Sequence, residues 1–282
     1  MSDDHVYLSL AQGPGAGADG GEGDARWAFG TGFEDPLHGV DTAVPAGLDT
    51  AELAARCLSL ADDALVSAQR LAEWTTRAPE LEEEVALANI GLDLLGQARL
   101  LYARCGQVDG TGRGEDAYAY FRDAADFRNV RLAELPRGDF AFTIVRLLVL
   151  SSWRLAEFQR LTGSPDPVLA AVAAKGTREL AYHRQYAAEW AVRLGDGTEE
   201  SHRRTRAALD TVAPYLEELF AACDVREEVT AVLAQVTGAA GLTMPAGAAL
   251  PGAGRDGTHT AHLTPLLAEL QSVARAHPEA AW

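Results

Sequence analysis

The chain has 282 residues, 48% of them apolar, enough for one large domain or two small ones with a real core. Its 24 basic and 41 acidic side chains give a formal charge of −17, which repels nucleic acid and anionic membranes and sets both aside as partners. Cys57, Cys105 and Cys223 stand far apart with no CxxC pair, so neither a disulfide framework nor a thiolate zinc site is expected, and a reducing cytoplasm is the expected setting.

Residues 1–47 are rich in Gly, Ala and Asp and lack a sustained period, so they read as a flexible N-terminal extension. They contain no basic flank or apolar stretch of signal-peptide length, and no run anywhere reaches the length of a membrane span. From residue 48 the texture becomes long and amphipathic, and 48–282 reads as one all-α domain. A first helix is predicted over 50–76. Pro79 opens a second, running to 104, with Glu80, Glu82, Glu83 and Glu84 near its positive dipole end. A third covers 115–134 and stops at Pro136 and Gly138; a fourth covers 139–162; a fifth covers 166–194 and closes at Gly195. Thr198 caps a sixth, to 222, and a shorter one follows at 224–237. A Gly-, Ala- and Pro-rich loop fills 238–258 before a last helix at 260–276. No strand pattern occurs.

The second helix carries two apolar stripes, one of Leu81, Val85, Ala88, Leu92, Leu95 and Tyr102, the other of Leu87, Ile90, Leu94, Ala98 and Leu101. A helix apolar on two faces is predicted to be central, packed on several sides. The fourth helix has Ser151 inside its apolar stripe, and the fifth has His183 in its own. Four long helices with short or crossing connections make a four-helix bundle with additional helices.

Such a bundle invites a test for a carboxylate-bridged di-iron centre. That site takes one carboxylate from each of two helices and an ExxH pair from each of the others. His183 is preceded by Leu180, giving LxxH; His202 follows Glu199, but both lie in a first turn, where Glu suits the helix dipole. No two ExxH pairs stand on long helices, which argues against a working di-iron site. Asp256, His259 and His262 form a DxxHxxH run that offers three ligands to zinc or iron, yet polar groups at a helix N-terminus account for it more simply. His183 reads as a core histidine with Glu179, one turn back, as its partner.

The segments QRLAEW (69–74), RAPELE (77–82) and LANIGLDLLGQAR (87–99), with FRNVRLAELPRGDFAFTIVR, SPDPVLAAVAAKGTRELAYHRQYAAEW and GTHTAHLTPLLAEL further on, resemble the C subunit of phenylacetyl-CoA epoxidase (phenylacetate-CoA oxygenase). The likeness covers residues 50–282. It implies a ferritin-like fold and a cytoplasmic complex in which a homologous catalytic chain, the A subunit, holds the di-iron centre. That chain epoxidises the ring of phenylacetyl-CoA with O₂ and electrons from an NADPH-dependent reductase. The C subunit, on this likeness, is a structural partner with no cofactor of its own.

Carried onto this chain, the catalytic subunit's ligand positions fall at Ala64 (or its neighbour Asp63), Leu94, Gln97, Ser151, Leu180 and His183. On that mapping only His183 keeps a ligand side chain, so no metal and no catalytic residue are expected here. The alternatives are a free-standing di-iron or di-manganese oxidase, a homo-oligomeric ferritin-like scaffold, and a component of an oxygenase acting on another aryl-acyl-CoA. The final segment, from Gly257 through Trp282, is expected to help anchor the assembly.

Overall fold

The computed structural model describes residues 37–280. Those residues are helical wherever they are regular, with no strand among them, in keeping with the all-α expectation. No helix among them is long and apolar enough to cross a membrane. Of the predicted extension, 1–36 and the chain's last two residues, Trp282 included, lie outside the described part. Within 37–47, Leu37 and Val40 pack against the core, and the Thr42 carbonyl accepts a hydrogen bond of 2.6 Å from Arg104.

Four long helices form the frame: α1 (Thr50–Ala72), α2 (Leu81–Val108), α5 (Phe140–Leu161) and α6 (Pro167–Gly195). Helices α1 and α2 pair along their lengths, as do α5 and α6, and α2 touches α6 to join the two hairpins. Three of their four starts are written in short-range chemistry. The Asp49 carboxylate accepts from the Ala51 and Glu52 amides, Asp139 from Phe142, and Asp166 from Leu169 ahead of Pro167. Each cap satisfies backbone donors that the first helical turn leaves free. Helix α2 runs one turn past the predicted end, through Gly106, where the Arg113 carbonyl lies so close that a side chain has no room.

The predicted third helix breaks up. It becomes α3 (Glu115–Tyr120), a 3₁₀ turn at Ala124–Asp126, and a single turn, α4 (Arg131–Glu134). The cause lies on α1, in two fully buried carboxylates. Asp62 accepts from the Arg128 amide at 2.7 Å and pairs with Arg122 and the Tyr102 hydroxyl; Asp63 accepts from the Val130 amide at 2.8 Å. Backbone donors committed to these acids are lost to a helix, and the segment crosses α1 in extended form. The sixth predicted helix divides likewise at Pro214 into α7 (Glu199–Val212), a 3₁₀ turn, and α8 (Leu216–Ala222).

After α9 (Arg226–Ala239) the chain returns over the bundle and ends in α10 (Leu263–Leu270) and α11 (Ser272–Ala276). Arg255 reaches Asp63 at 2.6 Å, and Leu263, Leu266 and Leu267 are buried. Gln271 donates to the carbonyls of Ala119 and Arg122, both at 3.0 Å. The leucines of α10 are therefore spent on its own bundle, while Val273 of α11 is 55% exposed.

Helix α2 also departs from expectation. Its stripe of Leu87, Ile90, Leu94, Ala98 and Leu101 is buried, but Leu81, Val85, Leu92 and Leu95 are 71%, 50%, 64% and 37% exposed. Within this chain it is a one-faced helix.

Candidate functional site

Between the four long helices lies a small cavity of about 20 Å³, room for roughly one or two water molecules. Four of the six positions singled out from sequence line it together: Leu94 from α2, Ser151 from α5, and Leu180 and His183 from α6. Leu94 and Leu180 are buried and present methyl groups to the space. Ala64 is sealed in the core and does not reach the cavity; Ser67, one turn further along α1, does. The neighbouring candidate, Asp63, is engaged by Arg255 and the Val130 amide.

Gln97, the sixth position, stands behind the lining. Its amide oxygen accepts from Arg154 Nη2 at 3.0 Å, and its Nε2 donates to Glu179 at 2.9 Å. Glu179 in turn pairs with Lys175 one turn back. A polar chain thus runs from a buried guanidinium out to the rim of α6.

Two arginines that the sequence pattern did not single out, Arg146 and Arg154 of α5, line the same cavity. Arg146 donates to the carbonyls of Leu135 and Pro136 and has no ion pair among the described residues; burial pushes it down to about 10. Burial likewise lowers Arg154, against the opposing pull of Asp63 at 3.6 Å. A signal was present. Two arginines eight residues apart are the only charged residues between Phe140 and Ala156, and a charge so placed needs a buried partner or carbonyls. Asp93 was missed as well. His183 Nε2 lies 2.9 Å from Asp93 Oδ2 on α2, so its partner is across the helix pair and not Glu179 on its own helix.

No carboxylate is among the residues lining this cavity. Carboxylates bridge and neutralise a pair of iron ions, whereas two guanidiniums repel cations and offer no lone pair. The residues present do not fit such a metal pair. Ser151 turns its hydroxyl to the Leu148 carbonyl of its own helix.

The DxxHxxH run does not converge on a site. Both ring nitrogens of His259 face acceptors, Glu134 Oε1 at 2.6 Å and the Phe127 carbonyl at 2.9 Å. Glu134 also takes the Thr260 amide at 2.7 Å and Asn129 at 2.9 Å, while His262 is exposed beside α10 and Asp256 lies in a 3₁₀ turn. His259 and the Thr260 amide tie the C-terminal segment to Glu134 and Phe127, whereas His262, at the start of α10, makes no side-chain cap bond.

A sequence profile of the phenylacetic acid catabolic protein family matches residues 41–282. The chain belongs to that family. A curated relative, the C subunit of 1,2-phenylacetyl-CoA epoxidase from Escherichia coli (strain K12), is 40% identical over 247 residues, covering 82% of this chain and 99% of the relative. The part shared with the phenylacetic acid catabolic proteins includes every residue of the cavity and the C-terminal segment that closes over α1.

Proposed function

We propose that this chain is the structural, non-catalytic C subunit of a phenylacetyl-CoA epoxidase in aerobic phenylacetate degradation, with a ferritin-like arrangement of its long helices. One observation carries the non-catalytic part: the cavity at the former ligand positions is lined by leucines and guanidiniums and by no carboxylate. The relationship to the Escherichia coli protein supports the rest. In this reading the di-iron centre, and with it ring epoxidation by O₂ with NADPH-derived electrons, belongs to a homologous A subunit. This chain contributes a rigid bundle that holds its partner's helices. Three unpaired cysteines suit work in a reducing cytoplasm.

Co-expression with the candidate catalytic subunit tests this. The two chains are expected to co-purify, and phenylacetyl-CoA epoxidation is expected only when both are present with the reductase. Turnover by this chain alone, or a catalytic partner that works equally well without it, overturns the reading.

A further inference from the structure

We infer that the outward face of α2 is a docking seam for a single α-helix of a different chain, one carrying basic residues along its flanks. The seam consists of Leu81, Val85, Ala88, Leu92 and Leu95, spaced four, three, four and three residues apart. That spacing keeps apolar side chains on one line of a helix at the 3.5-residue period, the pattern that receives another helix by knobs-into-holes packing. It spans fifteen residues, about 21 Å of helix from end to end. The inner stripe of the same helix already satisfies this chain's own core, so the outer one has no occupant within the described residues. Exposed leucines at 71% and 64% in a row are not scattered surface hydrophobes; a contiguous strip of this kind marks an interaction site. Tyr182 of α6, 52% exposed beside His183, lies on the helix that Asp93 pins to α2. At Gly96 the space where a side chain would stand is open.

Charge selects the occupant. Glu82 and Glu84 flank the seam on either side, in the positions that form interhelical ion pairs in coiled coils. A helix with Lys or Arg facing them is attracted. A second copy of this chain brings a further −17 of charge, and along this stretch offers Glu82, Glu84, Asn89, Gly91 and Gly96 at the flanking positions, none of them basic. At its far end the seam is closed by Arg99, which is already paired with Glu115 at 2.8 Å.

The inference rests on the proposed epoxidase role for the identity of the partner, and the experiment separates the two. The full chain and its Leu92→Glu and Glu82→Lys/Glu84→Lys variants are each co-expressed with the homologous catalytic subunit. Affinity is measured by biolayer interferometry, and folding of each variant by circular-dichroism melting. Because Leu92 is exposed, the variant is expected to melt like wild type while binding at least about tenfold more weakly. The charge-reversed variant is expected to bind more weakly, with a smaller salt dependence. Wild-type affinity in both folded variants overturns the seam but leaves the epoxidase role standing. A wild-type chain that never binds the catalytic subunit overturns that role. If this chain self-associates and Leu92→Glu abolishes that association, the commitment to a different chain is overturned.

Discussion

Gln97 and Arg154 hold each other inside the bundle: guanidinium Nη2 donates to amide Oε1 at 3.0 Å, and both residues are within 2% of complete burial. The contact joins α2 to α5 across the bundle. It places an amide acceptor where a buried cation needs one, at a position mapped from the catalytic subunit's ligand set.

Replacing Gln97 by Leu keeps the volume but leaves Arg154 Nη2 without an acceptor. An orphaned buried donor of this kind costs about 2 kcal/mol. Urea denaturation of Gln97→Leu is expected to give a correspondingly lower midpoint at unchanged slope. A midpoint equal to wild type shows that Arg154 finds another acceptor and the contact contributes nothing net.

The chain purified alone is expected to hold no stoichiometric iron, manganese or zinc. The reason is the lining of Leu94, Leu180, Arg146 and Arg154 around the cavity. Elemental analysis by mass spectrometry checks this. About two metal ions per chain, lost in His183→Ala, would falsify the non-metal reading.

Asp166 has two roles, capping α6 through the Leu169 amide and pairing with Arg104 where both side chains are 1% exposed. Asp166→Ala removes the cap and strands a buried guanidinium. We expect a loss of about 4 kcal/mol, most of it from the unpaired charge. Thermal or chemical denaturation reads the change; a loss below about 1 kcal/mol means water or Gln107 replaces the carboxylate.

Burial pushes the Cys57 thiol up to about 12 and that of Cys105 up to about 11. At pH 8 the reactive thiolate of Cys57 is then a fraction on the order of 10⁻⁴. A disulfide reagent at that pH is expected to titrate at most Cys223 in the native chain and all three thiols after denaturation. The linkage has a definite sign. Exposed thiols ionise near 9.0, ahead of the folded ones, so the folded state loses stability as pH rises from about 9 through about 12. Rapid native labelling of three thiols at pH 8 contradicts the burial.

Much of this protein is legible locally. Three of the four long helices, and α7, begin where Asp49, Asp139, Asp166 and Thr198 supply side-chain acceptors, and those signals act over three residues. Leucine at positions 94 and 180 is likewise plain in the sequence once the bundle is suspected. The break-up of the predicted third helix has a long-range cause. Over 115–134 helical propensity is good, yet Asp62 and Asp63, more than sixty residues away, take the amides of Arg128 and Val130.

The sequence by itself determined an all-helical chain, the ends of most of its long helices, and the absence of ExxH pairs at the bundle centre, because caps, periodicity and residue identity operate within a few turns. Only the tertiary structure decided which stripe of α2 is inside, that His183 answers to Asp93, and that Arg146 and Arg154 line the cavity. Burial and buried charge pairing are relations between helices distant along the chain, so no local pattern fixes them.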